Sequence, residues 1–164
     1  MTIDEVMTIL VMQEEILQFN HFTNEDAWEL GNIIVQEAKR RGYQPAVSIR
    51  LNNGYTVFQY AANGTNLRSE ELLRRKCNTV KVTEKSSLRL YSELQQADKT
   101  MADILLDEKE YACAGGGFPI RVEEVGVIGA IAVANQNHFS DHDLIVKAVS
   151  RYLHVDEVPR IRSL

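Results

Sequence analysis

Apolar side chains recur at helical spacing in two stretches of the chain before residue 42. Over residues 3–19 they return every three or four positions, which predicts a helix; these positions are Val6, Ile9, Leu10, Ile16, Leu17 and Phe19. Thr23 with Asp26 three residues later resembles a capping box, which predicts the start of a second helix. We expect that helix to end at Gly42 and to turn five residues inward: Trp28, Gly31, Ile34, Val35 and Ala38.

A β-hairpin is predicted between residues 46 and 60. Apolar and polar positions alternate on both sides of Asn53-Gly54, and this dipeptide favours a tight hairpin turn because both residues tolerate positive φ. The implied register places Val47 opposite Tyr60, Ile49 opposite Phe58 and Leu51 opposite Thr56.

Helical spacing returns after Gly64. Leu73, Cys77 and Val80 form a core stripe, so Cys77 is interpreted as a packed residue. Arg74, Asn78 and Lys81 share a different face of the same predicted helix. A further helix is expected from about Leu88 to Leu106.

The last third of the chain predicts two strands and a helix. Gly115-Gly116-Gly117 enters a short strand in which Pro119 indicates a sheet edge or a strand start. Residues 125–134 are almost continuously apolar, which is typical of a strand buried on both faces. Ser140 is the expected N-cap of the final helix.

The resulting order is α-α-β-β-α-α-β-β-α. It predicts one α+β domain over residues 1–164, with an antiparallel sheet flanked by helices on both faces, of profilin-like or PAS-like type.

Composition narrows the functional classes. The chain has 164 residues, 45% of them hydrophobic, and a net charge of −5, which argues against general nucleic-acid binding. Two cysteines suit a reducing compartment.

The N-terminal apolar run, Val6 to Met12, has no basic flank and is too short for a membrane span, so we expect a cytoplasmic protein without a membrane partner. Between Arg68 and Arg89 the local net charge is +4, which would suit an anionic small molecule or simply form a solvated helix face.

Two short motifs carry candidate chemistry. The triple glycine lacks nucleotide-binding spacing, but its N–H groups can form an anion-binding nest, or it can be a tight turn. Asp141 and His142 open the last helix. The helix dipole explains Asp141, and His142 is either a ligand or proton carrier or a structural residue. No cluster has zinc-ligand spacing, so no metal site is predicted.

Several segments together resemble a known family. They are Arg74-Arg75-Lys76-Cys77-Asn78-Thr79-Val80, Ser86-Ser87, Gly115-Gly116-Gly117-Phe118-Pro119-Ile120-Arg121, Gly126-Val127-Ile128-Gly129 and Asp141-His142. This pattern is similar to a UPF0303-type family of uncharacterised proteins within the haem-degrading domain superfamily. The resemblance implies a profilin-like α-β-α sandwich, homo-oligomers and haem as a candidate cofactor. Ala114 stands where the family pattern has histidine, and Asn135 stands where it has glycine.

The resemblance also implies a ligand pocket. Its expected walls are the glycine strand (Gly115, Gly116, Gly117, Phe118, Pro119), the basic helix face (Arg74, Asn78, Lys81) and the pair Asp141-His142. For haem, Arg74 or Lys81 would pair with the propionates and His142 would bind iron. The lead hypothesis is therefore a homo-oligomeric small-ligand-binding protein whose catalytic residues, if any, are unknown.

The alternative hypothesis is an interaction module without turnover, in which Arg74-Arg75-Lys76 pairs with acidic residues of a neighbouring subunit. A PAS-like sensor ranks third, because no output segment is attached.

Overall fold

The computed structural model describes residues 1–135 and 137–162. Its main elements are helices α1 (Ile3–Ile16), α2 (Asn24–Arg40), α3 (Leu67–Thr83), α4 (Ser87–Ala97) and α5 (His138–Leu153), and strands β1 (Ala46–Leu51), β2 (Thr56–Ala61), β3 (Gly117–Val122) and β4 (Gly126–Ala134). The predicted element order is confirmed. The extension of α4 to Leu106 was wrong. The helix ends at Ala97 because Asp98 adopts a left-handed conformation, and only a short 3₁₀ turn, Ala102–Ile104, follows.

The four strands form one antiparallel sheet in the order β2-β1-β4-β3. The pairs Val47–Tyr60 and Ile49–Phe58 are confirmed, whereas Thr56 lies opposite Arg50 and not opposite Leu51. The register shifts by one residue between Ile49 and Arg50, which the alternating pattern does not reveal. Pro119 lies on the edge strand β3, where a missing N–H is tolerated.

The two faces of the sheet differ in side-chain size. Large side chains such as Ile49, Phe118 and Ile131 pack in one cluster with α2 and α5. On the opposite face, Ala130, Ala132 and other alanines pack against the α3 stripe of Leu73, Cys77 and Val80. Since successive strand residues alternate between faces, β4 supplies branched side chains to one layer and alanines to the other. The small face lets α3 approach the strands closely, and the outcome is the predicted α-β-α sandwich.

Helix boundaries confirm one predicted cap and correct the other. The Thr23 hydroxyl accepts from the Asp26 N–H at 3.1 Å, and the Asp26 carboxylate accepts from the Thr23 N–H at 2.7 Å. Ser140 is not the cap of α5. Asn137 accepts from the N–H groups of Phe139 and Ser140, so the helix begins at His138.

The inward face of α2 is also corrected. Trp28, which was expected to point into the core, lies at the surface with 58% of the residue exposed. Gly31 faces Phe58 so closely that a Cβ there would lie 2.4 Å from the ring, and Trp28 packs on the outer side of the same ring. The helix ends at Arg40, two residues before Gly42, which takes a φ of +76° in the following turn.

Helix α1 contacts the segment after α5 through one hydrogen bond and one apolar side chain. The side-chain amide of Gln13 donates to the carbonyl of Pro159 at 2.8 Å, and Ile161 packs beside Val6 and Leu10 of α1. The residues that follow α5 therefore return across the helices as an extended strap. Of the helices described, none has both the length and the hydrophobicity needed to cross a bilayer.

Candidate functional site

Three half-buried polar residues of α3 bind the loop formed by residues 107–112. Arg74 donates to the carbonyl of Lys109 at 3.2 Å, and Arg75 donates to that of Glu108 at 3.1 Å. Asn78 donates to the carbonyl of Glu110 at 2.9 Å. Arg74 also forms ion pairs with Glu71 and Glu110, so its guanidinium is occupied within the chain. Lys81 lies apart from this loop, beside a small cavity of about 130 Å³ near Arg50 and Asn52.

Between α3 and α5, Lys76 and Asp141 form a buried ion pair. Each residue is 3% exposed, and the Lys76 Nζ lies 3.3 Å from Asp141 Oδ2 and 2.7 Å from the carbonyl oxygen of Val133. Burial lowers the pKa of Lys76 and raises that of Asp141, and the attraction between the two charges opposes both shifts. Asp141 Oδ2 also accepts from the Asn135 N–H, whereas Oδ1 has no partner. The sequence motif contains Lys76, but the sequence analysis did not place it in the site.

The glycine segment is packed against this pair. A Cβ at Gly116, whose φ is +113°, would lie 2.6 Å from both the Lys76 Nζ and the Val133 oxygen. The Gly117 N–H donates to the Ser87 hydroxyl at 2.8 Å, and the Gly115 N–H donates to Nδ1 of His138 at 2.9 Å. The groups that approach these glycines closely are therefore the protein's own. Two of them, the Ser87 hydroxyl and the His138 imidazole, already accept the N–H groups of Gly117 and Gly115.

His138 supplies an imidazole next to Ala114, where the sequence lacks the family histidine. Its ring lies 4.9 Å from that of Tyr91 and 4.2 Å from that of Phe139. Because Nδ1 accepts from Gly115, the neutral ring carries its proton on Nε2. The sequence analysis missed this contact because it placed His138 outside the last helix.

His142 lies in the core. It is 2% exposed, and its Nε2 is 2.7 Å from Oε1 of Gln13. The amide of Gln13 donates to Pro159, so its oxygen faces His142 and the imidazole donates through Nε2. Nδ1 is buried without a partner, and burial lowers the pKa of His142 to about 4. Phe118 is equally buried and its ring lies 5.9 Å from the imidazole.

The ten candidate residues therefore lie in separate surroundings. Arg74 and Asn78 hold the 107–112 loop, and Lys81 borders a small cavity. Gly116, Gly117 and Asp141 lie against Lys76, and Gly115 lies against His138 and Leu88. These four residues are buried, as are Phe118, Pro119 and His142.

A more open group of polar side chains lies at the end of α5, where the sequence analysis predicted nothing. His21, Glu29, Tyr152 and His154 border a cavity of about 340 Å³. His154 ends α5 in a left-handed conformation, with a φ of 56°, and its imidazole is exposed. His21 comes from the segment between α1 and α2, 133 residues earlier, so only the tertiary fold brings the two histidines to one cavity.

Asp26 organises this cavity. Its carboxylate accepts from Tyr152 Oη at 2.6 Å and from Nδ1 of His21 at 3.0 Å, besides the contacts with Thr23. Burial alone would raise the pKa of Asp26, but the hydrogen bonds from Tyr152, Thr23 and His21 outweigh it and lower that pKa. A carboxylate that accepts from Nδ1–H leaves the lone pair of Nε2 free, which is the arrangement of many metal-binding histidines.

The fold defines a class of α+β domains with an antiparallel sheet between helical layers. Residues 22–150 match the family model described as haem degrading protein HbpS-like, and the chain belongs to this family. It is similar to the UPF0303 protein YE1367 of Yersinia enterocolitica, with 34% identity over 154 residues that cover 93% of this chain and 91% of the relative. The resemblance stated from the sequence is thus confirmed.

Solved structures show the same fold. The crystal structure of the Ybr137w protein aligns with a TM-score of 0.84 and 25% identity, covering 90% of this chain and 87% of that one. The PduOC:haem complex aligns with a TM-score of 0.66 and 19% identity, covering 79% and 93% of the two chains. At that identity the second likeness concerns the fold alone.

Proposed function

We propose that the protein binds a small planar ligand of the haem type in the cavity at the end of α5. The family is described as haem degrading, and one structure of the same fold is a haem complex. The observation that carries the location is that two imidazoles, His21 and His154, border the same cavity. Leu153 adds apolar surface to it.

The four histidines differ as candidate iron ligands, because haem iron needs a nitrogen lone pair beside open space. His142 is buried, and its Nε2 is engaged by Gln13. His138 uses its Nδ1 lone pair for Gly115. His21 presents Nε2 behind a carboxylate, and the His154 imidazole has no hydrogen-bond partner within residues 1–135 and 137–162. His21 and His154 therefore fit the requirement for a ligand of haem iron.

Bound haem would supply a redox-active iron. The chain's own contribution is to hold it: His21 or His154 would bind the iron, Asp26 would orient His21, and Leu153 would exclude water from one side. No catalytic residue is assigned. Cytoplasmic location and assembly into homo-oligomers belong to the same proposal.

The pocket expected from the sequence is the competing location. It would use Arg74, Asn78, Lys81, Gly115–Pro119, Asp141 and His142, and in this structure its only candidate iron ligand, His142, is enclosed. A ligand there would have to displace the Lys76–Asp141 pair or the Gln13–His142 hydrogen bond.

A haemin titration followed in the Soret region tests the function and its location. We expect a saturable, shifted band in the wild type, and loss of that band in the double variant His21→Ala/His154→Ala. His142→Asn is the matched control at the competing location and should retain the band. Bleaching after addition of ascorbate would further support turnover of haem. Without a saturable band in the wild type, the function is refuted; loss only in His142→Asn would move the site to the competing location.

An interaction module without turnover is the second candidate. Met12 and Ile16 are one helical turn apart on α1, and they are 41% and 38% exposed. This apolar strip supports burial against a second copy of the chain. The variant Met12→Ser/Ile16→Ser should then lower the mass measured by light scattering, while an unchanged mass would count against this use of the strip.

A further inference from the structure

A second cleft adjoins the proposed ligand cavity and shares His154 with it. It has a volume of about 600 Å³ and lies between the last turns of α2 and α5 and the strap after α5. Its charged lining consists of Arg40, Lys147, Arg151 and Arg160 with the carboxylates of Glu37 and Asp156. Four cations face two anions in this cleft, although the whole chain carries a net charge of −5.

The carboxylates leave part of the positive charge uncompensated. One oxygen of Glu37, Oε1, serves two guanidiniums, at 3.0 Å from Arg40 and 3.2 Å from Arg151. Lys147 forms no ion pair or hydrogen bond with any residue in the described part of the chain, and it is exposed. Arg160 is paired with Asp143, outside the cleft lining.

The cations on α5 face the same way. Lys147 and Arg151 are four residues apart on α5, which places them on one helix face, and the C-cap residue His154 borders the same cleft. Like charges four residues apart destabilise a helix by a few tenths of a kcal/mol in the absence of a counterion. A bound anion would remove this repulsion.

We propose that this cleft binds the dianionic group of a phosphate monoester. Lys147 supplies a point charge and Arg151 supplies several N–H donors, a combination that suits phosphate oxygens. Val155 and Val158 of the strap offer apolar surface to the organic part of the ligand. The volume falls within the range of about 300–1,000 Å³ that small-molecule sites occupy.

Compensation of the helix dipole is the competing explanation for these charges. Arg40 and Arg151 lie in the last turns of their helices, where cations interact favourably with the carbonyl ends. Lys147 lies earlier, in the second half of α5 but six residues before its end, where the dipole effect is weak. Lys147 therefore distinguishes the two explanations.

The test uses adenosine 5′-monophosphate and adenosine as probes of purified wild-type protein, without haemin. In ¹H–¹⁵N spectra we expect saturable shifts at Lys147, Arg151 and His154 with the nucleotide, and none with the uncharged nucleoside. The variant Lys147→Glu should weaken nucleotide binding at least tenfold and should fold normally, because Lys147 holds no other residue. Lys99→Glu, which changes the net charge equally at an exposed position elsewhere, should leave binding unchanged.

Equal weakening by the two charge reversals would refute the site, and so would nucleotide shifts spread evenly over basic residues. Inorganic phosphate, used as a third probe, tests whether the organic part of the ligand is needed. Saturable shifts at the same three residues would show that the phosphate group alone is recognised. Because the first arm contains no haemin, its failure is separate from failure of the proposed function.

Discussion

The region around Gly115–Gly117 and the region at the end of α5 are both rich in polar side chains, but they use them differently. At the glycine segment, Ser87 and His138 take backbone N–H groups, and Lys76 is paired with Asp141 below the surface. At the end of α5, His21 and His154 border a cavity, and Lys147 has no partner in the described part of the chain. The first region is closed by internal bonds, whereas the second has donors and lone pairs to offer.

The difference shows why a family motif is weak evidence for a binding surface. Motif residues such as Arg74, Lys76 and Asn78 join α3 to a loop and to β4, so the architecture itself requires them. Free hydrogen-bonding capacity at a cavity is a more direct indication of a ligand than membership of a motif.

The largest effect that separates the regions is expected from the buried ion pair. Lys76→Met leaves the Asp141 carboxylate buried without its cation, so we expect a loss of about 3–5 kcal/mol in the free energy of unfolding. Urea denaturation measures it. The double variant Lys76→Met/Asp141→Leu removes both charges and should recover a substantial part of the loss; a double variant as unstable as the single one would contradict the pair as the cause.

Acidification should also affect the closed region first. His142 titrates near 6.5 when unfolded and at about 4 when folded, so its contribution to stability is complete above pH 6.5 and is lost as the pH falls toward 4. At about 1.4 kcal/mol for each pKa unit, the loss is about 3 kcal/mol. Chemical denaturation at pH 7, 6, 5 and 4 measures it. His142→Asn should flatten the curve in this window, and an equally steep curve would assign the effect to other groups.

Two glycines with similar backbone angles offer a matched comparison. Gly116 and Gly126 have φ values of +113° and +118°, but a Cβ meets nearby atoms only at Gly116. Gly126→Ala should cost about 1–3 kcal/mol through backbone strain. Gly116→Ala should cost at least about 1 kcal/mol more, because the Val133 oxygen and Lys76 Nζ must move. Thermal unfolding of both variants decides this, and equal costs would show that the glycine segment is loosely packed.

The smallest effect on stability is expected at the end of α5. Tyr152→Phe removes the hydroxyl that contacts Asp26 and Glu29, and we expect a loss of about 1 kcal/mol or less because the site is partly exposed. The pKa of Asp26 should rise, since that hydroxyl helps to lower it. NMR titration of the carboxyl group measures the change. An unchanged Asp26 pKa would mean that the Tyr152 hydroxyl does not stabilise the Asp26 carboxylate.

Much of the fold could be predicted because periodicity reports burial. Alternation in β1 and β2 predicted two cross-strand pairs, and helical spacing on α3 predicted the stripe that packs on the sheet. The errors arose where local signals were absent or ambiguous. Asp98 ends α4 without a glycine, and Asn137 and Ser140 are both acceptable caps in sequence.

The candidate cavity was less accessible to sequence reasoning. His21 and His154 belong to no motif and are 133 residues apart, so neither spacing nor charge pattern joins them. His142 carries the residue type expected of a ligand, but only the tertiary structure shows that its ring is buried and that its Nε2 is bonded to Gln13. Residue type was therefore predictable, whereas the availability of its lone pairs depends on tertiary contacts.

The bond between Gln13 and Pro159 has a consequence for local opening of the fold. If the strap detaches, the Gln13 amide loses its acceptor inside the protein, and the amide oxygen that orients His142 is no longer fixed. We therefore expect detachment of the strap and fraying of α1 to be coupled, with a shared opening free energy. Amide hydrogen exchange should therefore report similar opening free energies for these two segments, although they are far apart in sequence, because they open as a single cooperative unit.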